Sequence, residues 1–218
     1  MIRLESFPES LPQSQAPLWR VTLDRPDKAN ALTEDMLATL VSIAKQAQAH
    51  PNLRALVITG AGEKVFCAGA DLDAARAGLA TSPLWEALSG AIAALPCLTI
   101  AALNGTLAGG AMGMALACDL RLSVDRASFF YPVAKLGFLP QPSDPKRLTA
   151  LIGPARTKLL LLSGAKFTAK EALSFGLIDK IVPQEALWQE AQNMAEAAIS
   201  GKAEVLRAIK AMIPDGTA

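Results

Sequence analysis

Hydrophobic and polar positions along the chain predict a mixed α/β fold. Short apolar runs typical of buried strands occur at 18–24, 54–60, 98–105 and 119–125. Segments with apolar residues at helical spacing separate them, and the first of these segments begins after Thr33, a favoured N-cap residue. Because strands and helices alternate through about residue 130, we predict an α/β core.

The rest of the chain has a mostly helical pattern. Thr168 and Glu171 have the spacing of a capping box, which predicts that a helix begins there. Gly164 and Gly176 are predicted to end helices, because glycine readily adopts the left-handed conformation found there. A short strand is predicted around 178–182, followed by helices.

Composition excludes some classes of partner. The 218 residues suit one domain, and the net charge of +1 argues against nucleic acid or an anionic membrane as the main partner. The longest apolar runs are too short to span a bilayer, and we see no signal peptide. Cys67, Cys97 and Cys118 are spaced singly, which predicts reduced, buried thiols in a cytoplasmic protein. No metal site is predicted.

Two loops of small residues are candidates for a catalytic site. CAGAD (67–71) and AGGA (108–111) each lie between a predicted strand and a predicted helix. Such loops expose backbone N–H groups, and two donors on one oxygen would form an oxyanion hole. The alternative is that these glycines only allow close packing of helix and strand.

Four ordered blocks resemble the enoyl-CoA hydratase/isomerase, or crotonase, superfamily. They are RPDKANAL (25–32), ALVITGAGEKVFCAGADL (55–72), LTIAALNGTLAGGAMGMALACDLRLS (98–123) and SGAKFTAKEALSFGLIDKIVP (163–183). The resemblance implies a spiral of ββα units over residues 1–145 and a helical region over 146–218, within one compact domain. It also implies a homotrimer or hexamer. Family members usually continue further in helices, so we expect a shortened C-terminal region.

The resemblance also implies residue roles. The substrate would be a coenzyme A thioester, with no permanently bound cofactor. The oxyanion-hole donors would be the backbone amides of Ala70 and Gly110. The residues bordering coenzyme A would be Lys28, Ala29, Ala68, Asp71 and Leu72. An ordinary solvated lysine in a turn is an equal alternative for Lys28.

The chain departs from the family where hydratases carry two glutamates. The matching positions are Gly113 and Val133, and a third acidic position of some relatives falls at Gln141. Hydration needs a base to activate water and an acid to deliver a proton, so we expect little or no ordinary hydratase activity.

The candidates to replace those carboxylates include Tyr131, Gln141 and Asp144, and further polar residues nearby are Asp73, Lys135 and Ser143. Each of these residues could instead have a structural role or a more limited role in catalysis. Tyr131 could pack against neighbouring phenylalanines, Gln141 could orient a leaving carboxylate, and Asp144 could cap the helix that follows it. Two functions stay open: an acyl-CoA enzyme such as an isomerase, decarboxylase or thioester hydrolase, and a catalytically silent acyl-CoA-binding or subunit-partner protein.

Overall fold

The fold is built on two sheets whose strands pair mostly in parallel. The computed structural model describes residues 1–213 apart from the side chain of Leu72. The larger sheet has the order β1-β2-β3-β5-β7-β10 and the smaller one β4-β6-β8-β9. The strands are β1 (Ile2–Phe7), β2 (Leu18–Leu23), β3 (Ala55–Gly60), β4 (Val65–Cys67), β5 (Leu98–Leu103), β6 (Thr106–Ala108), β7 (Leu120–Val124), β8 (Ser128–Phe130), β9 (Lys166–Thr168) and β10 (Lys180–Val182).

Helices pack around these sheets. They are α1 (Glu34–Ala49), α2 (Leu72–Arg76), α3 (Leu84–Ala93), α4 (Met112–Leu116), α5 (Val133–Leu136), α6 (Asp144–Leu161), α7 (Ala169–Phe175), α8 (Leu187–Ser200) and α9 (Ala203–Met212). Helix α6 is kinked at Gly153, whose φ is +76°, just before Pro154. None of the helices within residues 1–213 has the length and hydropathy needed to cross a membrane.

A repeated ββα unit organises the chain. Strands β3, β5 and β7 of the larger sheet are each followed by a three-residue strand of the smaller sheet and then by a helix. The units are therefore β3-β4-α2, β5-β6-α4 and β7-β8-α5, and the large-sheet strands pair in parallel. This confirms the predicted spiral of ββα units.

The C-terminal region is helical, as predicted, and it contributes a strand to each sheet. One of the two, β10, lies within the strand predicted around 178–182, and the other, β9, was not predicted. Strand β9 pairs antiparallel with β8, and β10 pairs parallel with β7. The predicted capping box is present at the start of α7: Glu171 N donates to Thr168 Oγ1, and Thr168 N donates to the Glu171 carboxylate. Gly176 ends this helix with a φ of +85°.

Two buried asparagines fix the turn between β3 and β4. Asn104 Oδ1 accepts a hydrogen bond from Gly60 N at 2.9 Å, and Asn104 Nδ2 donates to Gly62 O at 2.9 Å. Asn30 Nδ2 donates to the carbonyl oxygens of Ala61 and Val65 at 2.9 and 2.8 Å. Because buried backbone groups need partners, these side chains hold β4, and hence the loop after it, in one position.

Candidate active site

The loop after β4 is held against the loop before α1 by a parallel bridge. Leu32 N donates to Gly69 O, and Asp71 N donates to Leu32 O, both at 2.8 Å. In this pattern the bridge residue between the two bonds, Ala70, directs its own N–H away from Leu32. The half-buried Ala70 amide is thus outside the bridge pairing.

The loop after β6 touches the first loop through glycines. A Cβ built on Gly69 would lie 3.1 Å from Ala108 O and 3.4 Å from Gly110 N. Gly69 and Gly109 both have positive φ values, +95° and +59°. Close packing of the two loops therefore requires glycine, and the same contact places the Ala70 and Gly110 amides in adjoining loops.

Gly110 lies in a 3₁₀ turn, Gly109–Ala111, that runs directly into α4. Amides in the first turn of a helical segment have no partner within the helix, and the helix dipole makes that end positive. A Cβ on Gly110 would meet the Trp85 ring at 3.3–3.4 Å. The buried Trp85, whose Nε1 donates to Leu79 O at 2.7 Å, therefore forms a wall beside Gly110.

Of the residues predicted to border coenzyme A, Ala68, Asp71 and Leu72 lie in or directly after the first loop, and Lys28 and Ala29 lie in the turn that contacts it. Lys28 and Ala68 are exposed, and Ala68 N donates to Ala29 O at 3.1 Å. The Asp71 carboxylate is already engaged, because it accepts from the Asp73 and Ala74 amides and pairs with Arg25 Nη1 at 2.7 Å. The hydrogen bond from Arg25 holds the pKa of Asp71 below its usual value. Leu72 begins α2, and its side chain lies outside the described part of the structure.

Of the predicted candidates, Tyr131 and Asp144 form a buried pair, whereas the half-buried Gln141 contacts this pair through its backbone N. Tyr131 Oη donates to Asp144 Oδ2 at 2.9 Å, and Gln141 N donates to Tyr131 Oη at 3.4 Å. Asp144 is fully buried, and its Oδ1 has no hydrogen-bond partner among residues 1–213.

The expectation that Asp144 caps the following helix was wrong. Helix α6 begins at Asp144 itself, after Ser143, and the Asp144 carboxylate faces inward to Tyr131. It fills the space beside Gly113: a Cβ built on that glycine would lie 2.7 Å from Asp144 Oδ1. A carboxylate from a different helix thus lies directly beside the glycine that stands where hydratases carry a glutamate.

Burial controls the proton affinity of this pair. Desolvation raises the pKa of Asp144 to about 7, with a smaller increase from the Glu86 carboxylate. The Tyr131 hydrogen bond and the charge of Arg147 act in the opposite direction. Burial, followed by the charge of Asp144, raises the pKa of Tyr131, so its hydroxyl stays protonated.

Cys67, beside the first glycine loop, is a poor nucleophile. Its Sγ donates to Asn30 O at 3.1 Å, and complete burial raises the pKa of the thiol to about 12. All three cysteines are buried and free, which confirms the predicted burial of these residues.

The family model described as enoyl-CoA hydratase/isomerase matches residues 13–217. The chain belongs to this family. As a crotonase-superfamily protein, it is an acyl-CoA enzyme of the enoyl-CoA hydratase/isomerase type by family membership.

Individual crotonase relatives agree with this assignment. YngF of Bacillus subtilis (strain 168), whose name assigns it to the enoyl-CoA hydratases/isomerases, is 37% identical over 85% of this chain and 73% of its own length. The carnitinyl-CoA dehydratase of Citrobacter koseri is 36% identical over 89% of this chain and 76% of its own. The crystal structure of an enoyl-CoA hydratase from Bacillus anthracis superposes with a TM-score of 0.87 at 32% identity, covering 96% of this chain and 81% of that one.

Three residues of this crotonase site were not predicted from the sequence: Arg25, Trp85 and Glu86. Arg25 lies within a recognised block, RPDKANAL, so its pairing with Asp71 could have been considered. Trp85 and Glu86 lie in an ordinary amphipathic helix, and only the fold brings them to the glycine loop and to Ser143.

Proposed function

We propose that this protein binds a coenzyme A thioester and stabilises its enolate oxygen with the backbone amides of Ala70 and Gly110. The observation that carries the proposal is the contact between the two glycine loops, seen in a chain of the crotonase superfamily. Two donors aimed at a developing negative charge typically lower a barrier by several kcal/mol, about 3–4 kcal/mol for each donor. The positive end of the helical segment at Gly110 adds to this effect.

Coenzyme A would lie along the exposed side of the first loop, bordered by Lys28, Ala29, Ala68, Asp71 and Leu72. Because the Asp71 carboxylate is paired with Arg25, it would act there through its backbone. The Lys28 ammonium is exposed and suits a phosphate group. Lys28→Ala should weaken binding of coenzyme A measured by calorimetry, whereas Lys45→Ala, an exposed lysine on α1, should not.

The reaction class differs from hydration. Gly113 and Val133 supply no acid or base, whereas the hydratase reaction uses two carboxylates. Decarboxylation of a malonyl-type thioester places its main demand on stabilisation of charge at the thioester oxygen, whereas isomerisation and thioester hydrolysis also need a group that moves a proton or activates water. We therefore expect purified protein to hydrate crotonyl-CoA very slowly, while a panel of acyl, enoyl and malonyl thioesters followed by mass spectrometry yields a product.

Carbonyl polarisation tests the oxyanion hole directly. Crotonyl-CoA labelled with ¹³C at the thioester carbonyl should show a downfield shift when it binds, because two N–H donors withdraw electron density. Ala70→Pro, which removes one donor, should reduce that shift and reduce turnover by about 10²–10³-fold. An unchanged carbonyl resonance in the bound state of the unmodified protein would refute the proposal.

A catalytically silent acyl-CoA-binding protein is the second candidate. The observation that favours it is the replacement of both hydratase carboxylates by Gly113 and Val133, together with full burial of Asp144. Tight binding across the thioester panel with no product would support this candidate.

Assembly as a homotrimer or hexamer is proposed from the family resemblance, and sedimentation measurements would test it.

A further inference from the structure

The helical segment after β6 presents two glycines on one face. Gly110 and Gly113 are three residues apart in the continuous segment 109–116, so they are neighbours on its surface, about 5–6 Å apart. A side chain at the first would meet Trp85, and a side chain at the second would meet Asp144 Oδ1. The Asp144 carboxylate therefore lies about one turn from the proposed oxyanion donor.

We propose that Asp144 supplies the carboxyl group that position 113 lacks and acts as the proton-transfer residue at the α-carbon of the bound acyl group. This inference rests on the proposed function, because it needs an enolate whose oxygen lies on the Ala70 and Gly110 amides. It assigns to a residue on α6 a role that hydratases give to a glutamate on α4.

The surroundings of Asp144 hold it in the required orientation. One oxygen, Oδ2, accepts from Tyr131 Oη, and the other, Oδ1, faces Gly113 without a partner in the described chain. Glu86 on α3 accepts hydrogen bonds from both the backbone N and the Oγ of Ser143, the residue immediately before Asp144. Tyr131 and Glu86 are thus positioning residues, and Oδ1 is the atom left to exchange a proton.

The proposed step balances without any additional reactant. The ionised Asp144 carboxylate removes a proton from the α-carbon, and the C–H electron pair forms a carbon–carbon double bond with the thioester carbon. The carbonyl π pair moves onto the oxygen, where the two amides stabilise it. Return of a proton from Asp144 to the α-carbon reverses the electron flow and regenerates the thioester.

Charged and titratable groups around Asp144 place this exchange near neutral pH. Tyr131 donates to it, Arg147 on α6 favours its ionised form, and Glu86 on α3 favours its protonated form. Burial outweighs these effects and raises the pKa to about 7. A group that titrates near the working pH is suited to both removing and returning a proton.

Deuterium exchange provides the test. Unmodified protein in D₂O should incorporate deuterium at the α-carbon of butyryl-CoA, measured by mass spectrometry, with a rate that rises with pH around a midpoint near 7. Asp144→Asn should bind butyryl-CoA with unchanged affinity and lose exchange by about 10²–10⁴-fold. Asp125→Asn, the same change at an exposed carboxylate in the turn after β7, should exchange at the normal rate.

Tyr131→Phe is a second variant that keeps the test decisive if Asp144→Asn folds poorly. Loss of the hydrogen bond to the carboxylate removes an effect that lowers the pKa of Asp144, so the midpoint of the pH–rate profile should move upward. A structural role alone would lower the rate without moving the midpoint.

The outcomes separate this inference from the proposed function. If butyryl-CoA binds with a polarised carbonyl but exchange is absent, or is equally fast in Asp144→Asn, the inference is overturned and the oxyanion hole stands. If butyryl-CoA binds with no carbonyl shift, or does not bind, both are overturned. Loss of exchange in Asp144→Asn with binding intact, or an upward midpoint shift in Tyr131→Phe, supports the inference.

Discussion

The buried Asp144 carboxylate should make the stability of this protein depend on pH in a defined direction. Its pKa is about 7 in the folded state against an ordinary value of 3.8. Below about pH 4 the group is protonated in the folded and unfolded states alike, so its favourable contribution is fully present. As pH rises from 4 to 7, the unfolded state ionises while the folded state keeps its proton, so that contribution is lost progressively and is absent once the folded state ionises above pH 7.

The size of the effect follows from the difference between the two pKa values. About three pKa units, at 1.36 kcal/mol each, correspond to roughly 4 kcal/mol between pH 4 and pH 8. Asparagine has nearly the same shape and does not titrate. From pH 4 to pH 8, the difference in free energy of unfolding between Asp144→Asn and the unmodified protein should therefore change by about 4 kcal/mol in favour of the variant.

Urea unfolding of both proteins at pH 4, 6 and 8, followed by circular dichroism, measures this difference. Other titrating groups are shared by the two proteins, so their contributions cancel in the comparison. Asp125→Asn is the matched control, because its carboxylate is exposed and its difference from the unmodified protein should not vary with pH. Parallel stability curves for Asp144→Asn and the unmodified protein would refute the reasoning about burial.

Three further predictions concern the framework that positions the glycine loops. Asn104→Ala should lower the free energy of unfolding by about 2–4 kcal/mol in urea titrations, because it leaves the buried Gly60 amide without its acceptor. Asn104→Asp, which keeps an acceptor, should lose less. Gly105→Ala should give little folded protein by circular dichroism, because its Cβ would overlap the backbone carbonyl of Lys64; a normally stable variant would contradict the packing. Cys67 should react with a thiol reagent only after urea unfolding, and rapid labelling of native protein would show that it is accessible.

The ββα repeat could be predicted in part, because its long strands carry a strong signal. Strands β3 and β5 are six-residue apolar runs between turn residues, and buried strands of a parallel sheet have this pattern. Strand β4 was predicted before the small-residue loop, whereas β6 and β8 have three residues each, which is too short for any periodicity to be recognised. Only pairing with their neighbours defines the smaller sheet.

Strand β1 was not predicted either, for a different reason. It lies at the edge of the larger sheet, and its sequence IRLESF mixes charged and apolar residues that are mostly half-buried. Its antiparallel pairing with β2 depends on partners such as Arg20, whose guanidinium binds the Glu5 carboxylate at 2.6 Å. Such contacts are made between strands, so the hydrophobic pattern of the segment itself does not predict them.

The candidate site, like the fold, could be predicted from the sequence only in part. The glycine loops were visible in the sequence as small residues between a strand and a helix, and the family resemblance, more than the pattern itself, indicated a role for them. The position of Asp144 was not visible, because an aspartate directly before a proline at a helix start is typical of a cap. Its carboxylate faces Tyr131 and Gly113 instead, and only the packing of α6 against α4 reveals this.

The contact between Gly113 and Asp144 has a consequence for how such chains can evolve. Any side chain introduced at position 113 would displace the carboxylate, and removal of that carboxylate would leave a gap beside a bare glycine. The two positions should therefore change together in lineages that switch between the two arrangements. Either of two helices can in this way supply the carboxylate beside this segment.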